Sequence, residues 1–281
     1  MTKKKNRPGL GAVLKQEMKS NKRVFILWLV LRLFVIAAIV LSAVRGYYEN
    51  VFVCVLVLFL FLVPAFIEKK LSISLPSGLQ ILILLHIFAT EILGELACYY
   101  VRFPYWDTVM HTVWGFLCAA IGYSMVDILN RGEGIHFNLS PVYLALAGFC
   151  FSMTIGVFWE FFEFGMDRLF YLDLQKDTVI HRFQSVMLDE SMKNIPILVD
   201  GITSTAVNGV DLGVDGFLDI GLFDTMEDLF VNFIGALVFS IIVLLSNKFE
   251  KARWLAFQFI PRVEPKTETK ISPAEEIPKT K

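Results

Sequence analysis

The chain has 281 residues, of which 56% are hydrophobic, and its mean hydropathy is +0.60. This composition is too apolar for a soluble globular domain, and it predicts an all-α polytopic membrane protein, a helical bundle of about six transmembrane helices. The formal net charge is only −1, so the sequence does not indicate a nucleic-acid partner.

Six long apolar runs predict the transmembrane helices. In chain order they cover residues 24–44, 51–67, 79–99, 107–129, 142–165 and 226–245. The first run is too long for the apolar core of a signal peptide and lacks a small-x-small cleavage site, so we expect an uncleaved helix. Residues 24–246 therefore form one predicted transmembrane domain. A basic segment at 1–23 precedes it, and a largely disordered tail at 247–281 follows it.

The longest predicted segment outside the membrane lies between the fifth and sixth helices, at 166–223. It is more than fifty residues long and mixes polar with apolar residues, which is typical of lids and binding loops. We expect short helices at 169–174 and 179–188. We also expect the segment to cover the adjacent end of the bundle.

Basic residues are distributed unevenly between the two sides of the predicted bundle. The two termini and the second and fourth loops hold 19 of the 26 Lys and Arg residues, and the opposite side holds six. By the positive-inside rule, both termini are predicted to be cytoplasmic. The segment 166–223 is then extracytoplasmic.

Polar side chains recur at the extracytoplasmic end of four predicted helices. They are Glu91 and Glu95 on the third, Asp107 and His111 on the fourth, Glu160 and Glu163 on the fifth, and Asp224, Asp228 and Asn232 on the sixth. A charged group that faces lipid costs about 2.5 kcal/mol or more, so we expect convergence on one polar cavity. Asp224 followed by Glu227 matches a capping box, so Asp224 is interpreted as a helix cap rather than a site residue.

The chemistry of these groups leaves more than one role open. The candidate catalytic residues are Asp107, His111, Glu160, Glu163, Asp228 and Asn232. Carboxylates and imidazole suit hard or borderline divalent cations, and the candidate metal ligands are His111, Glu160, Glu163, Asp228, Glu91 and Glu95. The same groups suit a proton relay. The cofactor is therefore open, with a divalent metal as one candidate.

Three motifs in a fixed order resemble a known family. They are Trp106-Asp107-x-x-x-His111, Trp159-Glu160-x-x-Glu163 and Asp224-x-x-x-Asp228-x-x-x-Asn232-x-x-Gly235-Ala236. These motifs resemble bacterial integral membrane proteins of the YjdF-like family and, more distantly, VanZ-like proteins linked to teicoplanin resistance. VanZ-like proteins tend to have glutamine at the position of Glu163, and they carry an arginine where this chain has Leu222 and Phe223. The resemblance implies a cell-envelope role without an established reaction.

Three functions are compatible with these residues. The first is an extracytoplasmic metal-assisted enzyme that acts on a lipid or envelope head group. A non-catalytic envelope binding or assembly protein ranks nearly level with it. A proton- or cation-coupled transporter ranks behind, because the acids do not continue to the inner leaflet and paired broken helices are missing. The expected partner is a membrane lipid or an envelope small molecule, and the oligomeric state is open.

Overall fold

The computed structural model describes residues 22–71, 73–131 and 139–263. Most of the predicted basic segment and the end of the predicted tail therefore lie outside the described residues. Six helices in the described ranges are long and apolar enough to span a membrane: Lys22–Val44, Tyr48–Lys70, Ser77–Leu96, Trp106–Asn130, Pro141–Phe170 and Leu222–Ser246. The predicted all-α membrane bundle with six spans is confirmed.

The helices are numbered in chain order. They are α1 (Lys22–Val44), α2 (Tyr48–Leu60), α3 (Val63–Leu71), α4 (Ser77–Ile87), a π-helix (Phe88–Leu96), α5 (Tyr99–Arg102), α6 (Trp106–Arg131), α7 (Pro141–Phe170), α8 (Leu222–Ser246) and α9 (Glu250–Phe257). Two spans are thus composite, because α2 and α3 together form the second span, and α4 and the π-helix form the third.

A proline explains the interruption in the second span. Pro64 has no backbone N–H, so the Leu60 carbonyl cannot receive its helical hydrogen bond from the residue four positions on. Instead the Leu62 N–H donates to the Phe59 carbonyl at 2.9 Å, a tighter turn than the α-helix makes. The regular α-helix is therefore interrupted between α2 and α3.

The third span changes from α-helix to π-helix close to the predicted polar residues. Near the change, the Thr90 hydroxyl donates to the His86 carbonyl at 3.0 Å. Hydroxyl groups bonded in this way compete with the regular backbone ladder. Glu91 and Glu95 both lie within the π-helix. Short π-helical stretches are frequent at functional sites, because the extra residue in each turn redirects the side chains.

The last three spans form the most closely packed part of the bundle. α6 packs against both α7 and α8, and their shared core includes Ala119, Ala120, Ala236 and Phe239. α6 is also the most enclosed span: 50% of its most apolar window is buried, compared with 17% to 33% for the other five.

Glycines allow α6 and α8 to approach each other closely. A Cβ atom on Gly235 of α8 would lie 1.9 Å from the Thr112 carbonyl oxygen. A Cβ atom on Gly115 of α6 would lie 2.2 Å from the Asn232 carbonyl oxygen. Because these neighbours are backbone atoms, a side chain at either glycine would push the two helices apart.

The segment between α7 and α8 forms antiparallel strand pairs. β2 (Thr178–Ile180) pairs with β7 (Phe217–Asp219), β3 (Arg182–Ser185) with β4 (Ile197–Asp200), and β5 (Ala206–Val207) with β6 (Val210–Asp211). The helix predicted at 179–188 is therefore wrong, apart from one 3-10 turn at Val186–Leu188. The helix predicted at 169–174 is also wrong, because α7 ends at Phe170 and Tyr171 is left-handed, with φ 56°. β-branched and aromatic residues at 178–183 favour the extended chain instead.

The first part of the predicted tail folds back onto the bundle. β8 (Arg262–Val263) pairs with β1 (Ile73–Ser74), and the Leu79 N–H donates to the Gln258 carbonyl at 2.9 Å. The Phe259 side chain packs against the core that α4 and α6 share. Residues 250–257 and 262–263 therefore have regular structure at the end of the bundle where α4 begins, although they lie in the segment predicted to be largely disordered.

Candidate functional site

Three helices bring polar side chains together at one end of the bundle. At this end, here called the site end, α6 begins, α7 ends and α8 begins. The predicted site residues on these helices are Asp107 and His111 on α6, Glu160 and Glu163 on α7, and Asp228 and Asn232 on α8. Because these three helices are the most closely packed in the molecule, their polar groups face protein rather than lipid.

The first group of converging side chains consists of Asp107, His111 and Asp228. The His111 Nε2 atom lies 3.4 Å from the Asp107 Oδ1 atom and 3.6 Å from the Asp228 Oδ2 atom. One ligand atom from each residue lies within 4.8 Å of the other two. The Asp228 side chain is only 4% exposed and that of His111 12%. This arrangement of one imidazole and two carboxylates is compatible with a divalent cation.

The second group consists of Glu160, Glu163 and Asp228, whose ligand atoms also lie within 4.8 Å of one another. All three residues are buried, with exposures of 5%, 8% and 3%. The Trp159 Nε1–H donates to the Glu163 Oε1 atom at 2.8 Å. One oxygen of each carboxylate has no hydrogen-bond partner among the described residues. Buried carboxylate oxygens without a partner are costly, so a cation or shared protons must compensate them.

No lysine or arginine pairs with these carboxylates in the described part of the chain. The ion pairs there that involve Asp107 or Asp228 are the two contacts with His111, and none involves Glu160 or Glu163. Carboxylates brought this close repel one another, and either protonation or a bound divalent cation relieves the repulsion. Shared protons or a bound cation must therefore relieve the repulsion that the ion pairs of the described residues leave.

Asn232 links α8 to α7. Its Nδ2–H is 3.5 Å from the Ser152 carbonyl oxygen and 3.6 Å from the Met153 sulfur atom. A Cβ atom on Gly156 would lie 2.8 Å from the same Nδ2 atom, so the amide fits directly against the α7 backbone. The side chain is 1% exposed. Its Oδ1 atom is buried and has no hydrogen-bond partner among the described residues. Asn232 therefore packs α8 against α7, and its predicted role in the site stays a prediction.

The structure places Glu91 and Glu95 outside both groups of converging ligands. Glu95 is exposed and Glu91 is half-buried, and the Tyr100 ring lies over Gly94 between them in sequence. Burial raises the pKa of the Tyr100 phenol. Four carboxylates raise this pKa further; in decreasing order of effect they are Asp107, Glu95, Glu91 and Glu163. Tyr100 therefore stays protonated between the π-helix acids and the converging groups.

Tyr100 was not among the predicted site residues. It follows the third span, and no helical spacing relates it to the other polar groups. The left-handed conformation of Cys98, with φ 58°, turns the chain so that Tyr100 lies over Gly94. A left-handed cysteine between two helices has no recognisable sequence signal.

The predicted capping role of Asp224 is wrong. α8 begins two residues earlier, at Leu222, and the Phe223 N–H donates to the Asp219 Oδ2 atom at 3.0 Å. Asp224 instead accepts a hydrogen bond of 2.8 Å from the Lys176 N–H. It therefore attaches the extramembrane segment to the start of α8.

Further contacts hold residues 174–176 beside the site end. The two carboxylate oxygens of Asp167 accept hydrogen bonds from the Leu174 and Gln175 N–H groups, at 2.7 and 2.9 Å. The Gln175 side chain also donates to the Thr225 hydroxyl at 2.5 Å. The strands that follow pair with one another. We predicted that the segment 166–223 covers this end of the bundle, and that stays a prediction.

Together, the fold and the site define a polytopic α-helical membrane protein with a buried carboxylate–histidine cluster at one end of its bundle. A family model described as "Predicted membrane protein (DUF2238)" matches residues 26–248, so the chain belongs to this family. No curated protein and no solved structure showed a significant match to the chain.

Proposed function

We propose that this chain is a divalent-cation-dependent enzyme of the bacterial plasma membrane, acting on the head group of a lipid or another envelope molecule at the extracytoplasmic face. The observation that carries the proposal is the part-buried His111 imidazole between the Asp107 and Asp228 carboxylates. A bound cation polarises a substrate oxygen or activates water. Burial and nearby carboxylates, Asp107 among them, raise the pKa of the Tyr100 phenol, so this hydroxyl group keeps its proton.

An apolar groove beside the π-helix supports a lipid as the substrate. The groove has a volume of about 490 Å³ and is lined by Leu31, Phe34, Ala37 and Ala38 of α1 and by Phe88 and Ile92 of the π-helix. It runs along the half of α1 that leads to the site end. Hydrocarbon chains of lipids suit such an apolar surface within a bilayer. An acyl chain in the groove positions its head group towards the same end of the bundle as the carboxylates.

The envelope role rests on the motif resemblance to YjdF-like and VanZ-like proteins. The extracytoplasmic placement of the site rests on the asymmetry of Lys and Arg residues. Both belong to the proposal, together with the bacterial plasma membrane as the location.

Activity is expected when the purified protein is reconstituted with phospholipid vesicles and Mn²⁺, Zn²⁺ or Mg²⁺. Mass spectrometry of the lipids over time should show a head-group change that depends on the cation. Asp228→Asn removes a candidate ligand and should lower the rate at least about 100-fold. Glu227→Gln is the matched control, because Glu227 is the preceding residue but is exposed.

Two outcomes would contradict the enzyme proposal. Cation binding without any change in lipid or added head-group analogues would favour a non-catalytic binding or assembly protein. Passage of the cation or of protons into the vesicles without lipid turnover would favour a transporter.

Membrane orientation gives a separate prediction. Alkaline phosphatase fused after residues 48, 103 or 195 should be active in cells, because these positions lie on the side that is poor in Lys and Arg. A fusion after residue 247 should be inactive and serves as the control. Activity at 247 together with inactivity at 195 would place the carboxylates on the cytoplasmic side and exclude an extracytoplasmic substrate.

A further inference from the structure

We infer that the site binds two divalent cations, with the Asp228 carboxylate as the bridging ligand. The inference rests on the proposed function, which itself requires only one cation. It starts from the fact that Asp228 belongs to both groups of converging ligands, with Asp107 and His111 on one side and Glu160 and Glu163 on the other.

The three helices explain why Asp228 can serve both groups. Asp107 and His111 come from α6, whereas Glu160 and Glu163 come from α7, and α8 packs against both helices. Asp228 is 3% exposed, and its Oδ2 atom has no hydrogen-bond partner in the described ranges. A carboxylate can present one oxygen to each of two cations, and cations in two-metal sites lie about 3.5–4 Å apart.

Unpartnered oxygens on the α7 side give the second cation its own ligands. The Oε2 atoms of Glu160 and Glu163 are buried and have no hydrogen-bond partner among the described residues. The Trp159 Nε1–H binds the other oxygen of Glu163 and fixes the orientation of that carboxylate. Outer contacts of this kind commonly orient metal ligands. Glu160 and Glu163 therefore differ from exposed surface acids, because their carboxylates are buried and that of Glu163 is already oriented as a ligand.

If all four carboxylates of the site stay ionised, their charge matches two divalent cations better than one. Asp107, Asp228, Glu160 and Glu163 carry four negative charges when ionised, and the neutral imidazole of His111 adds none. One divalent cation leaves half of that charge uncompensated inside the bundle, whereas two neutralise it. No lysine or arginine side chain in the described segments pairs with these four carboxylates. Since uncompensated buried charge is strongly unfavourable, the complete ligand set matches a two-cation centre.

A two-cation centre suits the hydrolysis of a phosphate ester. Two bridged cations stabilise the attacking and leaving oxygens of an in-line displacement at phosphorus. In hydrolysis, the water oxygen bonds to phosphorus and the ester P–O bond breaks. One proton of the water ends on the leaving alkoxide. The phosphoryl group of a lipid head group is the substrate that fits both this chemistry and the apolar groove.

The stoichiometry of Mn²⁺ binding tests the inference on the full-length protein in detergent. The protein is stripped with chelator, loaded with Mn²⁺, desalted and analysed by elemental mass spectrometry and electron paramagnetic resonance. We expect about two Mn²⁺ per chain with an exchange-coupled spectrum. His111→Ala and Glu163→Gln should each retain about one ion, with the uncoupled six-line spectrum, and Glu227→Gln should retain both.

Any other Mn²⁺ stoichiometry or spectrum contradicts the two-cation inference. One ion in the wild type overturns the bridged centre but leaves the proposed function standing, whereas no ion overturns both. Two uncoupled ions, or two ions that persist in both His111→Ala and Glu163→Gln, place the second cation elsewhere and overturn the bridging role of Asp228. The wild-type result needs no variant, so a variant that fails to fold does not affect the decision.

Discussion

Chelator-treated protein is expected to melt at a lower temperature than the same protein resupplied with Mn²⁺ or Zn²⁺. A cation that binds only the folded state stabilises it by about 2.7 kcal/mol at a concentration 100 times its dissociation constant, and by about 4.1 kcal/mol at 1,000 times. For a chain of this size, the smaller value corresponds to a rise in melting temperature of roughly 5–10 °C. Differential scanning fluorimetry in detergent measures this shift.

Asp228→Asn should respond differently from the wild type in the same measurement. The variant loses a ligand common to both groups, so added cation should leave its melting temperature unchanged. Its cation-free form should be at least as stable as the chelated wild type, because one buried negative charge is removed. Glu227→Gln should respond to the cation like the wild type. An equal cation response in Asp228→Asn would show that the ions bind elsewhere.

Gly235→Ala is expected to destabilise the protein and to weaken cation binding. The added Cβ would lie 1.9 Å from the Thr112 carbonyl oxygen, so α8 must move away from α6. Overpacking of this kind typically costs about 1–3 kcal/mol. Thr112 is adjacent to His111, and the movement therefore separates His111 from Asp228, which lie 3.6 Å apart. Melting temperature and Mn²⁺ affinity of the variant measure the two effects.

Gly165→Ala provides a control within the helix that carries Glu160 and Glu163. A Cβ atom on Gly165 meets no atom of the described residues within 4 Å. Alanine is better than glycine in a helix by roughly 0.5–1 kcal/mol, so this variant should be as stable as the wild type or more stable. Equal stability of Gly235→Ala and Gly165→Ala would contradict the close α6–α8 contact.

The sequence allowed the six spans to be predicted because apolar length relates directly to bilayer thickness. It also allowed the shared end of the polar residues to be predicted, since the direction of the chain alternates from one span to the next. The central position of Asp228 could not be predicted. Helical spacing fixes which residues share a face of α8, but the rotation of α8 relative to α6 and α7 depends on contacts such as Gly235 against Thr112.

The other differences between the predicted and the observed secondary structure arise where residues distant in sequence determine the local conformation. The strands of the extramembrane segment pair over long separations, as β2 does with β7, so a short window around 179–188 could not distinguish strand from helix. The start of α8 depends on Gly221, whose φ of 91° suits glycine and sets the first turn ahead of Asp224. The π-helix replaces the expected α-helix around Glu91 and Glu95.

The enclosure of α6 bears on how the protein is assembled in the membrane. α6 has the lowest mean hydropathy of the six spans, so it gains least from contact with lipid alone. Its packing partners α7 and α8 are synthesised after it. The packing of α6 is therefore complete only once α8 has entered the membrane. A chain interrupted before Leu222 leaves Asp107 and His111 without Asp228, the third member of their group.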